Sequence, residues 1–421
     1  MELTEGFKQT DLGVLPEDWD IRPLGKCLSK PPDYGINAPA VPYSSKLPTY
    51  IRITDISEDG QFAPSERVSV QSPMANAYYL EHGDLVLART GNTVGKSYRY
   101  KAEDGRLVFA GFLIRIQPNA NVLLPTFLSS YLATGAYWRW VRQMSMRSGQ
   151  PGINGQEYAQ LPVPVPPVEE QQAIAGALGD VDALLERLDQ LIAKKRDLKQ
   201  AAMQRLLTGD TRLPGFSGEW EVKRLSEIGD IRSGGTPSTR QPHFWDGDVP
   251  WCTPTDITAL SGHKYLTTTE RNISTAGLQS SSAEVIPARS LIMTSRATIG
   301  ACAINLTPMT TNQGFKSIVP GAEVDVEFLY YLMTTQESGL VALCGGSTFL
   351  EISKKQLSAY EIRLPTDRSE QVAISAVLSD MDAELAVLGA RRNKTLGIEL
   401  AMMQELLTGK TRLHTTGGSN G

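Results

Sequence analysis

Glu170-Gln171-Gln172-Ala173-Ile174 and Leu207-Thr208-Gly209-Asp210-Thr211-Arg212-Leu213 each occur a second time in this chain, as Glu370-Gln371-Val372-Ala373-Ile374 and Leu407-Thr408-Gly409-Lys410-Thr411-Arg412-Leu413. Both recurrences share one offset with no gap, and about half of the positions between Glu170 and Leu213 are identical to their counterparts. A match at fixed period over such a stretch marks an internal duplication. Fainter echoes extend it over the whole chain. Trp19-Asp20-Ile21 matches Trp220-Glu221-Val222, Ile53-Thr54-Asp55-Ile56 matches Pro254-Thr255-Asp256-Ile257, Leu85–Gly95 runs parallel to Ser290–Gly300, and Phe127–Leu132 resembles Phe328–Met333.

The well-kept segment reads as one long helix per copy. Pro162, Pro164, Pro166 and Pro167 make an extended lead-in that cannot be helical. Beyond it Ile174, Val181 and Leu188 recur every seven residues beside Leu178, Leu185 and Ile192, and the second copy repeats this with Ile374, Met381 and Leu388 beside Leu378 and Leu385. Such rows form a coiled-coil seam. The pattern weakens at Lys195, Lys199, Arg392 and Thr395, and Gly209 and Gly409 stand where a C-terminal cap would end each helix. A helix of about 38 residues would be a rod of about 57 Å. Two ordinary amphipathic helices in separate cores would also fit the pattern. Pairing is preferred, because an antiparallel second rod would bring the chain back toward its first domain. The expected fold is α+β: two mixed α/β domains held apart by two long helices in an antiparallel coiled coil, a pseudo-two-fold internal repeat. The expected division is a first globular domain at 1–165, a spacer helix at 166–211, a second globular domain at 212–365, a second spacer helix at 366–413 and a disordered tail at 414–421.

Within the globular halves, Tyr50–Ile56, Leu85–Ala88 and Leu107–Ile116 read as strands and Pro125–Val141 as one helix, with Trp251–Ile257, Leu291–Thr294, Phe315–Val319 and Val326–Met333 as counterparts. Composition excludes several classes. With 421 residues, 41% apolar and 21% charged, the chain is globular in composition. Cys27, Cys252, Cys302 and Cys344 form no CxxC pair, which argues against a zinc ribbon or a disulfide framework. Met1–Gly13 lacks the apolar core of a signal peptide, and no stretch has the apolar length of a membrane span, so a cytoplasmic protein is expected.

Gly91-Asn92-Thr93-Val94-Gly95-Lys96-Ser97 is the tempting catalytic string. A phosphate loop needs four residues between its glycines, and here there are three. A nucleotide-binding enzyme built on Gly91–Ser97 is therefore the weaker alternative to a tight turn displaying Arg89, Thr90, Asn92 and Lys96. Pro31-Pro32-Asp33-Tyr34 has the wrong order for an adenine methyltransferase motif, and His82, His243, His263 and His414 lack metal-ligand spacing. No catalytic or metal site is expected. The formal net charge of −5 speaks against nucleic acid, yet the charge is uneven. Asp104 to Glu157 and Glu284 to Glu323 enclose windows without any acidic residue, and these hold Arg106, Arg115, Arg139, Arg142 and Arg147, then Arg289, Arg296 and Lys316. Local positive potential of this kind suits a phosphate backbone. Polar tips at Ser148, Gln150, Ser347 and Thr348 suit base or phosphate hydrogen bonds, as they would ordinary solvated loops.

Taken together these strings resemble the specificity (S) subunit of type I restriction–modification systems, over nearly the whole chain. Val163–Gln171 before a long helix ending in Leu206–Leu213, echoed by Ser369–Gln371 and Leu406–Leu413, carries the likeness, with Gly83–Lys96 similar to the strand–turn segment of a target recognition domain. The resemblance implies a non-catalytic reader of double-stranded DNA, its two target recognition domains each contacting one half of a bipartite, asymmetric sequence. It implies two methyltransferase (M) subunits bringing S-adenosylmethionine, and two restriction (R) subunits bringing ATP- and Mg-dependent cleavage, with no cofactor on this chain. The DNA-contacting residues expected are Arg52, Thr54, Arg89, Thr90, Asn92, Lys96, Arg147, Ser148 and Gln150 in the first domain. In the second they are Thr255, Thr294, Ser295, Arg296, Ser347 and Thr348. A coiled-coil scaffold without DNA specificity is a third reading.

Overall fold

The structure, a computed structural model, describes residues 5–146, 150–344 and 350–413. Arg147, Ser148, Ser347, Thr348 and the tail expected at 414–421 lie outside the described residues. The chain divides into two compact units. One takes the chain up to Asp189 together with the stretch from Arg391 onward, and the other is Gln190–Ala390.

In the first unit, Leu113–Pro118 lies antiparallel between Leu28–Tyr34 and Leu85–Ala88, with Ser97–Arg99 beyond the latter. Leu85-Val86-Leu87-Ala88 is buried on both faces, as a central strand requires. Leu85 and Leu87 join Trp19, Phe127 and Tyr137 in one cluster, while Val86 and Ala88 join Ile51, Phe109 and Leu113 in another. A second sheet orders Leu107–Phe109, Thr49–Ile51, Val68–Val70 and Ala40–Pro42. The run read as one strand over Leu107–Ile116 is thus two strands in different sheets, broken at Ala110-Gly111-Phe112, where Leu113 N donates to Ala110 O. Tyr50–Ile56 likewise leaves the sheet at Ile51 and turns through Ile53–Asp55. The helix expected over Pro125–Val141 is two helices, Pro125–Tyr131 and Gly135–Ser145, because the Thr134 side chain accepts a hydrogen bond from Tyr137 N and starts the second. The proline lead-in is a strand, Pro162–Val165, in a two-stranded sheet with Asp20–Pro23; prolines fit where few partners need an N–H.

The second unit has a five-stranded sheet in the order Gly229–Ser233, Lys316–Pro320, Leu291–Met293, Cys302–Asn305, Tyr265–Leu266. A three-stranded sheet and the pair Trp220–Arg224 with Glu361–Pro365 complete it. Its register corrects the sequence alignment. Leu291 pairs with Ile318 and Thr294 bridges Phe315, as Leu85 pairs with Ile116 and Ala88 with Leu113. Leu85 therefore corresponds to Leu291, one position beyond its ungapped partner Ser290. The glycines Gly95 and Gly300 still correspond, each donating its N–H to Ala88 O or Thr294 O. The second turn is one residue shorter.

Val168–Leu206 and Arg368–Leu406 are single helices of 39 residues each. Each unit contains the start of one and the end of the other. In the first unit Arg392 pairs with Asp189 and Glu399 lies against Asp182; in the second, Lys195 pairs with Glu384 at 2.6 Å and Lys199 with Asp382 at 2.5 Å. In both units, ascending one helix descends the other. Desolvation, and then the hydrogen bond with Asp182, push the Glu399 carboxyl up to about 7. Ile174, Leu178, Leu188, Ile192, Ile374 and Leu378 are buried. Past each helix the chain turns at Gly209 (φ +78°) and Gly409 (φ +66°), where a Cβ would press on the Trp220 ring and on Pro16 and Trp19 respectively.

Two paired residues fasten each helix start. Glu170, almost fully buried, accepts from Trp19 Nε1 at 3.0 Å and from Arg412 Nε and Nη2 at 2.7 and 2.8 Å, while Arg412 also holds Asp18 at 2.8 Å. Gln171 accepts from Leu124 N at the start of Pro125–Tyr131 and donates to Val122 O and Pro166 O, each at 2.8 Å. In the second unit Glu370 accepts from Arg212 at 2.5 and 2.6 Å, and Gln371 accepts from Asp325 N and donates to Glu323 O and Pro365 O.

Arg412→Ala leaves a buried carboxylate unpaired, and a loss of about 3 kcal/mol of stability is expected in urea melts of the first unit. Arg412 also holds the Asp18 carboxyl below its ordinary value of 3.8. A depressed folded-state value stabilises fully above the ordinary one and is lost as pH falls through the lowered one. The acid-side decline in melting temperature below that ordinary value is therefore expected to be shallower in Arg412→Ala; an unchanged profile would contradict this linkage.

Candidate nucleic-acid interface

The turn after Leu85–Ala88 is closed by its own backbone: Gly95 N donates to Ala88 O at 3.0 Å and Ala88 N to Lys96 O at 2.8 Å. Two buried tyrosines fix it from below. Tyr158 OH donates to Ala88 O at 2.8 Å and Tyr137 OH to Gly95 O at 2.7 Å. Burial pushes both phenols up, far from ionisation at neutral pH. Gly95 has a φ of +90°, and a Cβ there would sit 2.7 Å from Val141, so the turn cannot carry a side chain at that point. A second segment, Gln150–Ile153, lies alongside: Thr90 bridges Gly152, Ile153 N donates to Arg89 O at 2.9 Å and Gly91 N to Pro151 O at 3.0 Å.

These contacts gather four of the expected residues, Arg89, Thr90, Asn92 and Gln150, on one loop pair. The Arg89 guanidinium lies 4.9 Å over the Tyr34 ring, whose hydroxyl accepts from Gly155 N. Arg52 is not similarly free. Its guanidinium is paired bidentately with the buried carboxylate of Asp55, which also accepts from Arg52 N. Thr54 beside it is exposed. Lys96 is folded back onto Glu58 at 2.7 Å and Ile56 O at 3.4 Å.

In the second unit the corresponding turn puts Arg296, Ala297 and Thr298 at the surface. Arg296 bridges Glu351 along the backbone and pairs with its carboxylate at 2.8 Å. Thr294 and Ser295 correct an expectation: both are fully buried, Thr294 by virtue of its strand position with its hydroxyl on Thr298 O and Ala301 O, and Ser295 between Gly314 and Ile352. Neither hydroxyl reaches a surface that a duplex could touch. Thr255 is exposed on the helix Pro254–Ala259, which Thr253 and Asp256 cap.

Sequence reasoning missed the neighbours that topology brings in. Gly235 N donates to Thr311 O and Asn312 N to Cys252 O, so exposed Thr236 and Gln313, joined by a side-chain hydrogen bond, stand near Thr255 and Arg296. Tyr34 and Phe112 do the same around Arg89, whose N–H donates to Phe112 O. No spacing in the sequence signals any of the four. The acid-free windows are also filled from outside: Asp33 and Asp84 meet Arg115, Glu327 meets Arg289 and Glu351 meets Arg296. Arg89 is held by a ring instead of a carboxylate among the described residues.

A family model described as "Type I restriction modification DNA specificity domain" matches residues 32–194 and again 217–396. The chain belongs to this specificity-domain family. It is 41% identical to the type I restriction enzyme MjaIX specificity subunit of Methanocaldococcus jannaschii over 39% of this chain and only 38% of that protein. With the putative MjaX specificity subunit of the same organism it shares 24% identity over 98% of each. The solved S subunit of a type I restriction–modification system from M. genitalium aligns over 99% of both chains with a TM-score of 0.59 at 14% identity, which is a likeness of fold.

The specificity-domain fold also disposes of the phosphate-loop alternative. Gly91–Ser97 runs from the strand Leu85–Ala88 into the strand Ser97–Arg99, where a phosphate loop would open a helix. Among the described residues no group of His, Cys, Asp and Glu is placed to hold a metal ion, and no helix is long and apolar enough to cross a membrane. Tyr158→Phe is expected to cost about 0.5–1.5 kcal/mol, since it removes one of the two donors on the Ala88 carbonyl and leaves only Gly95 N. It should also speed amide hydrogen exchange across residues 88–96 more than elsewhere; uniform exchange would show that the hydroxyl does not pin the turn.

Proposed function

We propose that this chain is the sequence-reading subunit of a type I restriction–modification enzyme and carries no catalysis of its own. The observation that carries the reading is the pair of pinned surface turns, one per unit, with unlike side chains: Arg89, Thr90 and Asn92 in the first, Arg296 and Thr298 in the second. Unlike turns on the same sheet plan suit a target with two unlike halves. Arg89, Thr90, Asn92, Lys96 and Gln150, with Arg52 and Thr54 beside them, would face one half-site; Thr255 and Arg296 would face the other.

In this reading the two long helices pair as an antiparallel coiled coil and set the distance between half-sites. A rod of about 57 Å exceeds one turn of duplex, about 34–36 Å, so several base pairs between the half-sites stay unread. Leu191 and Leu198 in one unit, and Leu400 in the other, are exposed leucines on these helices. They support docking of methyltransferase subunits, two per chain, which bring S-adenosylmethionine. Two restriction subunits bring ATP and Mg-dependent cleavage. The complex works on cytoplasmic DNA.

Exchanging residues 1–165 for those of a relative is expected to change one half-site in a methylation map and leave the other intact; a scaffold would leave both unchanged. Inserting about four residues, near one helical turn, within Leu188–Lys199 should lengthen the unread spacer only. Arg89→Ala should weaken binding. A lost phosphate contact would flatten the salt slope by about one unit, and a lost base contact would cost about 1–3 kcal/mol with relaxed specificity at one position.

A further inference from the structure

Phe112 stands out on the first unit's turn face as a large aromatic side chain with 59% of its surface exposed. It is not on a loose loop. Phe112 is the third residue of a four-residue turn closed by Leu113 N donating to Ala110 O at 2.8 Å. Ala110 N is bound to Ile51 O at 3.0 Å, Gly111 N to Ile36 O at 2.9 Å, and the Phe112 carbonyl accepts from Arg89 N at 3.0 Å. Four backbone hydrogen bonds thus hold an exposed ring beside Arg89, and Tyr34, 41% exposed, lies under the Arg89 guanidinium.

The second unit lacks this arrangement. Gly314 O accepts from Ser295 N as Phe112 O accepts from Arg89 N, so Gly314 takes the place of Phe112; Ser233, paired with Lys316, takes the place of Tyr34. Among the described residues, the two positions held by aromatic side chains in the first unit are held by a glycine and a serine in the second. An apolar ring fixed against water has a use where a base edge offers an apolar group, and in duplex DNA the group so displayed is the thymine C5 methyl. A wedge driven between base steps would need a more protruding side chain than one with two-fifths of its surface covered on a rigid turn.

We infer that Phe112 reads a thymine methyl in the half-site of the first domain, beside the position that Arg89 would face. This rests on the DNA-reading function proposed above. The test uses the full chain assembled with its methyltransferase partner, on duplexes carrying the mapped target. Replacing each thymine of the first half-site singly by uracil should lower affinity about five- to tenfold at one position and not in the second half-site. Phe112→Ala should erase that thymine preference, so that uracil at the same position adds no further loss, while Phe112→Leu should keep part of it. The uracil series needs no variant and stands even where Phe112→Ala fails to fold. No thymine–uracil discrimination in the wild-type complex, or discrimination that survives Phe112→Ala, overturns the inference while specific binding upholds the reader. Loss of methyltransferase assembly in Phe112→Ala with an unchanged motif overturns it as well, by making Phe112 a protein contact. A wild-type complex with no sequence preference at all would fell the underlying function.

Discussion

A buried carboxylate at the start of each long helix constrains everything around it. Glu170 and Glu370 are almost fully buried, and a carboxylate there needs both a cation and hydrogen-bond donors. The cation comes from far along the chain, Arg412 for Glu170 and Arg212 for Glu370. Each is the arginine of the Leu-Thr-Gly-x-Thr-Arg-Leu segment that follows the other helix. The neighbouring glutamine fastens the same helix start to the loop and helix N-terminus of the sheet domain. The core is built accordingly. Leu406 and Leu407 sit in the first unit's cluster with Trp19 and Phe127, and Leu206 and Leu207 in the second unit's with Phe328. Neither sheet domain owns a complete core without a helix end supplied from the other half of the sequence.

That dependence explains which parts of the duplicated sequence stayed alike. A residue such as Gln171 spends all its polar atoms on backbone groups of a fixed geometry, so few replacements would serve. The two surface turns carry no such duty. Their frame is backbone hydrogen bonding plus a few buried supports, Tyr137 and Tyr158 in the first unit. The side chains on top, Arg89 and Phe112 in the first unit and Arg296 in the second, stand outside that frame and can differ without disturbing the sheet beneath.

The same logic sorts what the sequence could disclose. Helical spacing and the exact recurrence of Glu-Gln and Leu-Thr-Gly made both long helices legible, because local periodicity survives in a string of letters. The turn Arg89–Lys96 was legible from its glycines. Thr294 and Ser295 were misplaced since an ungapped alignment cannot see a strand register, and one residue of shift moves a side chain from the surface into the sheet. Phe112, Tyr34, Thr236 and Gln313 were invisible because their role comes from loops meeting in space across long separations. The break at Ala110-Gly111-Phe112 inside an unbroken apolar pattern hid for a related reason: both strands are buried, so burial alone does not mark the hinge.

Charge gives the last step. The acid-free windows suggested a bare positive face, but Asp33, Glu327 and Glu351 reach Arg115, Arg289 and Arg296 from other segments. All three pairs keep at least one partner in contact with solvent, and the doubly exposed pair Arg296–Glu351 contributes little to stability. They do lower the positive potential that any phosphate backbone would attract. A face neutralised in this way would bind DNA weakly for its charge alone, and in the proposed reading the discrimination among sequences would fall to contacts that depend on the base, for which the guanidinium of Arg89 over Tyr34, the amide of Gln150 and the ring of Phe112 are placed. An overall charge of −5 fits such a proposed division of labour, in which partner subunits would supply bulk affinity and two small, rigid turns the choice of sequence.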